Sequence, residues 1–360
     1  MPNPPKRTRL TSFEYTDMLL VKEMACKKCS LPDVYFSLRS CNKGTHEAVE
    51  TGRRVPKPIL SKKFKLNPLR RLVGFEIEVN DYIDGKAISE YARTIGAGMV
   101  QDVAFEMNTP PMQGDAMVEK IQEISSVIRG HGAVSYQGSG LHTHVDCRDA
   151  SWNDIRKLCV LYGKTEVALY SIIDPRRSGR NSSRGGFCKM VGGLDFAKMM
   201  SDPSTAKEDI ISFVYGSVEN LKKVRNSNKQ PPGGDRYLGL NLHSWLMRGT
   251  VEFRLHQGTT KADKMLNWGM LMGGMVQTAI GKGDREINDW PTGKEGILAY
   301  APTDGVRKWV NERWDYFAQK RKDKTQPLFI ETMVMPTKTK KKIELDPDYE
   351  GDEEPYPEDD

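Results

Sequence analysis

The chain has 360 residues, 38% of them hydrophobic and 28% charged, which is enough apolar material for a sizeable core and excludes both a peptide scaffold and a wholly disordered chain. Its formal charge of +6 hides an asymmetry: residues 1–71 carry 16 Lys/Arg against 6 Asp/Glu, whereas residues 344–360 carry 10 acids and no base. No run approaches the ~18 apolar residues of a membrane helix, because the longest uncharged stretch, Met265 to Ile280, is broken by Gly269, Gly273 and Gly274.

Such a basic body calls for an anionic partner, whether nucleotide, nucleic acid or acidic peptide. Basic residues near Met1 have no apolar segment behind them, so no secretory signal is read. The six cysteines form no paired secreted framework in so long a chain, and a reducing, cytoplasmic compartment is expected.

Residues 1–70, rich in Pro, Lys and Arg, read as a basic appendage. Within it Cys26, Cys29, Cys41 and His46 have the ligand types of a Cys3His zinc site, which would let so short a segment fold. Free thiols in a reducing cell explain the same residues equally well. Regular patterning starts at Leu72 and continues in an α+β manner, giving an expected catalytic domain over 71–330. Asp115 followed by Met117, Val118, Ile121, Ile124 and Ile128 predicts a capped amphipathic helix with a stop at Gly130. Ser151 with Asp154 three residues on predicts a capping box and a helix running to about Asp174. Arg176 to Gly193 reads as a Gly-, Ser- and Arg-rich loop, Asp209 to Val224 as a helix, and Pro231 to Gly234 as a break. Past residue 281 the pattern thins, and residues 331–360, Lys-rich and then acidic, read as a disordered tail. Cys147, Cys159 and Cys188 are expected to pack as small apolar residues.

Three strands carry chemistry. In Gly74-Phe-Glu-Ile-Glu-Val79 the period of two puts Glu76 and Glu78 on one face and Phe75, Ile77 and Val79 on the other. Two carboxylates about 7 Å apart repel by roughly 2 to 3 kcal/mol at an effective dielectric near 20, so on a covered sheet they want a cation, and a hard divalent ion suits them. By itself Glu-x-Glu is more often a solvated strand face. In Gly138-Ser-Gly-Leu-His-Thr-His-Val-Asp146, His142 and His144 share a face, at a spacing that can reach one metal or phosphate cluster. By itself the pair is more often a surface or hydrogen-bonded one. Arg236 to His243 and Thr250 to Gln257 read as two alternating strands joined by a turn at Leu246 to Gly249. Leu238, Leu240, Leu242, Val251, Phe253 and Leu255 would face inward, and Asn241, His243, Glu252, Arg254 and His256 outward. Three strands of the same design, each with one face made of metal ligands or anion binders, would converge on one polar surface.

Taken in order, Gly-Phe-Glu-Ile-Glu, Glu106 before Pro110-Pro111, Gly-Ser-Gly-Leu-His-Thr-His-Val-Asp, Arg-Tyr-Leu-Gly-Leu-Asn-Leu and Thr-Val-Glu-Phe-Arg resemble the amidoligases, relatives of glutamine synthetase and the glutamate-cysteine ligases. The resemblance covers residues 70–285. It implies a glutamine-synthetase-like fold, a curved and largely antiparallel sheet backed by helices, which binds ATP and two or three Mg²⁺ or Mn²⁺ ions and joins a carboxylate to an amine. It further implies metal-ligand roles for Glu76, Glu78, Glu106, His142 and Glu252, an ATP phosphate contact for His144, and substrate-carboxylate or phosphoryl binding for Arg254. Arg236 would also meet phosphate, and Arg176, Arg177 and Asn181 match an Arg-rich segment that would help to bind and cover the nucleotide. The segment before Glu106 lacks the Ser expected of the family, so Asp102 receives no role. Motifs of this kind occur in phage and bacterial accessory proteins, which suggests cell-wall or peptide modification. Whether a partner supplies ammonia or processes a peptide is not legible.

The expected activity is therefore ATP-dependent amide or isopeptide formation on an amino acid or peptide through an acyl phosphate. Two other readings stay open: transfer of phosphate to a guanidino group on the same fold, and a non-enzymatic zinc or nucleic-acid-binding protein built on residues 1–70. Four outward carboxylates disfavour polyanion binding by residues 72–285 unless metals neutralise them.

Overall fold

A computed structural model of the chain describes residues 20–26, 48–79, 84–101, 105–135, 139–178, 188–205, 207–215 and 237–323. Strands β1 (Leu20–Cys26) and β2 (Ala48–Pro56) form an antiparallel ribbon of their own. The main sheet is antiparallel throughout, six strands in the order β4-β5-β3-β6-β8-β7. Its members are β3 (Val73–Val79), β4 (Gly98–Gln101), β5 (Phe105–Asn108), β6 (Leu141–Asp146), β7 (Leu240–Asn241) and β8 (Thr250–Phe253).

Along β3 the alternation is realised residue by residue: Val73, Phe75, Ile77 and Val79 are buried, while Glu76 and Glu78 point the other way and are partly exposed. The apolar face packs on three long helices, α2 (Gly114–Gly130), α3 (Trp152–Ser171) and α7 (Ala262–Gly281). Gly269 of α7, which interrupts the longest uncharged run, is where the helix meets the sheet. A Cβ there would lie 2.5 Å from the Phe75 ring and 3.0 Å from Met117, so a side chain would push helix and strand apart. No described helix is long and apolar enough to cross a membrane.

The capping box of α3 is present: Ser151 Oγ accepts from Asp154 N–H at 3.0 Å, and the Asp154 carboxylate accepts from Ser151 N–H at 2.6 Å. Asp115, by contrast, does not cap α2. It lies inside the first turn, and its carboxylate accepts from the backbone of Leu66 (2.8 Å) and Asn67 (3.2 Å). That bond ties residues 57–70 to the domain, as do Ile59 N–H donating to Pro111 O at 2.8 Å and the buried Leu69. The expected boundary near residue 70 thus runs through a packed segment. Helices α1 (Gly85–Ile95), α4 (Gly193–Ser201) and α5 (Lys207–Tyr215) lie around this core.

Two further expectations are corrected. The turn expected at Leu246 to Gly249 is the end of a six-residue helix, α6 (His243–Arg248), and the strand before it is only Leu240–Asn241. Asn241 Oδ1 accepts from His243 N–H at 3.0 Å and turns the chain out of the sheet. Trp245 buries itself with its indole N–H on Cys147 O at 3.1 Å, and Gly249 at φ 79° closes the helix. His243 therefore starts a helix rather than extending the polar strand face. The second correction concerns the chain past residue 281, whose described residues hold three helices, α8 (Asp284–Asn288), α9 (Gly293–Tyr300) and α10 (Asp304–Asp323). Val306, Val310 and Phe317 of α10 are fully buried. Cys147, Cys159 and Cys188 are buried and in no disulfide, as small apolar residues would be.

Candidate functional site

Strand register assembles the polar face. Glu76 stands opposite Asn108 on one side and His142 on the other, Glu78 opposite Glu106, and His144 opposite Gly74 and Glu252. Asn241 closes the row against Glu252. Five strands thus contribute to one surface, because alternation on each sends every second side chain to the same side.

The side chains interlock. Glu76 Oε2 is 2.9 Å from His142 Nδ1, and Glu76 Oε1 is 3.1 Å from His144 Nε2. His142 also approaches Glu78 through Nε2 (3.8 Å) and Glu252 through Nδ1 (3.6 Å). Glu252 accepts from Asn241 Nδ2 at 2.6 Å and pairs with the Arg254 guanidinium. Thr250 and Ser244 reach the other nitrogen of His144, at 3.0 and 3.3 Å. One oxygen or nitrogen from each of Glu76, His144 and Glu252 lies within 4.8 Å of the others, a donor set of two carboxylates and an imidazole that could hold a metal ion.

Burial and charge oppose one another here. Burial alone pushes the Glu76 carboxyl up, but the imidazoles, His144 foremost, hold it well below the usual carboxylate range. Glu252 is likewise lowered against its burial, chiefly by Arg254. Burial disfavours the Arg254 charge, yet Glu252 and Glu76 raise its pKa further. Glu76 and Glu252 therefore stay ionised at neutral pH.

Gly140, before β6, leaves room that two neighbouring side chains occupy. Its N–H donates to Glu78 Oε2 at 2.6 Å, and a Cβ would lie 2.8 Å from His142 Nε2 and 2.9 Å from Arg177 Nη2. Arg177, in the 3-10 turn Pro175–Ser178, spends its donors on backbone carbonyls: Arg254 O at 2.9 Å and Ser139 O and Leu255 O at 3.3 Å. Glu106 lies at the margin, accepting from Asn108 Nδ2 at 2.8 Å.

The structure thus brings together Glu76, Glu78, His142, His144, Glu252 and Arg254, with Glu106 beside Glu78 in the ladder and Arg177 behind. His256, expected on the outward face, is fully buried against Trp268 instead, because the strand ends at Phe253. Arg176 sits in the same turn as Arg177, and Cys26 ends β1. Arg236, Asn181, Cys29, Cys41, His46 and residues 331–360 lie outside the described residues. Sequence reasoning missed Asn108, which the same alternation that carries Glu106 puts on the polar face. It also missed Ser244, a hydroxyl outside every motif, and gave no role to Thr250, the first residue of Thr-Val-Glu-Phe-Arg.

Residues 63–276, more than half of the chain, match the family model described as "Putative amidoligase enzyme". No curated protein matches the sequence significantly. Among solved structures, a bifunctional glutathione synthetase from Pasteurella multocida is similar at 10% identity over 69% of this chain and 48% of that one, with a TM-score of 0.34. The chain spans about half the length of that protein.

Proposed function

The chain belongs to the amidoligase family, and from that premise we propose that the polar face of its sheet is the active site of an ATP-dependent carboxylate-amine ligase. The sheet is then the core of a glutamine-synthetase-like catalytic fold. The product is an amide or isopeptide bond on an amino acid or peptide. The observation that carries the reading is the convergence of Glu76, His144 and Glu252, from three separate stretches of sequence, to within 4.8 Å beside a forked cation, Arg254.

The donor set fits a divalent ion. Ligand bonds of about 2.1 Å place neighbouring donors about 3 to 4 Å apart, so a small closure of these side chains suffices for Mg²⁺ or Mn²⁺. Glu76, His144 and Glu252 would hold one ion, and Glu78, Glu106 and His142 would complete the cluster. Such an ion supplies neutralisation of polyphosphate charge.

Arg254 presents a guanidinium whose planar fork matches a phosphoryl group or a carboxylate, which lysine would not. In the reaction a carboxylate oxygen of the acid attacks the γ-phosphorus of ATP, the bond to ADP breaks, and an acyl phosphate forms. The amine nitrogen then attacks the acyl carbon, inorganic phosphate leaves, and the nitrogen gives up a proton. Catalysis of this kind rests on positioning and on cationic stabilisation of a charged transition state. Arg236 would add a phosphate contact, and Arg176 and Asn181 would belong to a cover that keeps water from the acyl phosphate. Arg177 enters the reading as a brace, since its donors hold the backbone at Arg254 and Ser139. Cys26, Cys29, Cys41 and His46 remain candidate zinc ligands of an N-terminal appendage, to be tested by the metal content of the purified whole chain.

The test is a panel of acids and amines incubated with the chain and Mg-ATP. ADP release that needs both substrates, with a product lighter than their sum by one water, is the expected result. ADP release with a phosphorylated guanidine and no amide would replace the ligase by a phosphotransferase.

A further inference from the structure

Glu166 is a fully buried carboxylate in the middle of α3, outside every motif and not part of the polar face. A charge in that position is costly unless it is met by donors. Its two oxygens accept three consecutive backbone N–H groups, those of Val191 (2.7 Å), Gly192 (3.1 Å) and Gly193 (2.7 Å). Successive amides turn toward one anion in a glycine-permitted nest that leads into a helix N-terminus; Gly192 and Gly193, at the start of α4, have φ of 125° and 56°. One helical turn further on, the Tyr170 hydroxyl donates to Cys188 O. Helix α3 therefore grips both ends of residues 188–193.

The gripped segment is one edge of a chain of hydrogen bonds that ends at the arginine of the site. Lys189 N–H donates to Tyr237 O at 2.8 Å, and Lys189 O accepts from Gly239 N–H at 2.7 Å. Gly239 O in turn accepts from Arg254 N–H at 2.9 Å. The Tyr237 ring, in the same stretch, lies 5.8 Å from the Arg254 guanidinium carbon. A second route closes the loop: Cys188 Sγ donates to Arg177 O at 2.7 Å, and Arg177 Nη2 donates to Arg254 O at 2.9 Å. Both sides of the Arg254 backbone are thus referred to the segment that Glu166 fixes.

We propose that Glu166 is a positioning residue for Arg254, acting through residues 188–193 and 237–239 to set where the guanidinium stands over the polar face. The inference rests on the ligase reading for its effect on rate, but not for its effect on structure. Glu166→Gln keeps the shape of the side chain and turns an NH2 group toward backbone N–H groups that need an acceptor. A misplacement transmitted from outside the chemistry is enough to cost a large factor in rate.

The experiment has two arms on the full chain. In amide hydrogen exchange followed by NMR, Glu166→Gln is expected to speed exchange at Val191 to Gly193 and also at Gly239 and Arg254. A residue that merely holds its own turn would speed only the first three, and that result overturns the proposal whether or not the chain is a ligase. In kinetics, Glu166→Gln is expected to lower kcat about tenfold with KM for ATP within about twofold. The same change made in an Arg254→Lys background is expected to lower it little further, because the two act in series. Full additivity overturns the coupling. If Glu166→Gln does not fold, Tyr170→Phe removes the other grip while keeping the ring, and both arms are read on it with the same expectations. Absence of ligase turnover in the wild type counts against the ligase reading alone, and the exchange arm still decides this one.

Discussion

Glu76 faces His142 across the β3–β6 ladder with Oε2 2.9 Å from Nδ1, and its second oxygen stands 3.1 Å from Nε2 of His144. One carboxylate therefore sets the positions of both imidazoles. Replacing it by glutamine leaves a single acceptor and puts an NH2 against one ring. Glu76→Gln is expected to weaken Mn²⁺ binding at least about tenfold, measured by the paramagnetic signal of free Mn²⁺ in a titration. Unchanged affinity would remove Glu76 from the candidate metal set.

The pair of Glu252 and Arg254 is buried, and Glu252 is shared with Asn241. Arg254→Met leaves a buried carboxylate without its cation, a change expected to cost on the order of 3 kcal/mol. Arg254→Lys keeps the charge without the fork and is expected to cost clearly less in stability while still lowering activity. Denaturant titrations at pH 7 separate the two.

Gly140→Ala puts a methyl group within 3 Å of two side chains that are both held in place, His142 and Arg177. The expected cost is about 1–3 kcal/mol, with the fold retained in far-UV circular dichroism and divalent-ion affinity lowered. A neutral outcome would mean that the loop before β6 can yield without disturbing the polar face.

Burial pushes the Glu166 carboxyl from its ordinary 4.5 up to about 7, against the pull of three amides. The folded state therefore binds this proton more tightly than the unfolded one, and the stability so gained is complete below about pH 4.5 and disappears as pH rises to about 7. Relative to Glu166→Gln, the wild type is expected to lose stability across that window, by an amount on the order of a few kcal/mol. Chemical denaturation of both proteins at pH 5, 6, 7 and 8 reads it. The lowered carboxyls of Glu76 and Glu252 work in the opposite sense and below this window, so the comparison isolates Glu166.

The polar face was legible because β3, β6 and β8 each separate apolar from ligand-type residues with a period of two, and register then had only to align them. The amphipathic stripe of α2 and the capping box of α3 were legible for the same reason, a repeat long enough to be read. Helix α6 was not, since six residues are too few to display a period and its cause, the buried Trp245, is a tertiary contact. Helix α10 hid its stripe because Arg307, Lys308 and Arg313 sit among Val306, Val310 and Phe317. Glu166 carried no signal, as its partners are backbone amides 25 to 27 residues later. Asp115 looked like a cap because the residue type fits one. Only the path of residues 57–70 reveals that its oxygens are used elsewhere.

Calorimetric titration of Mg-ATP into the whole chain and into a Glu76→Gln, Glu78→Gln variant decides whether this face is a metal-dependent nucleotide site. Saturable binding by the wild type is expected, lost in the variant while the variant's thermal transition persists. No binding by the wild type, or equal binding by both, would contradict the assignment of this face as a metal-dependent nucleotide site.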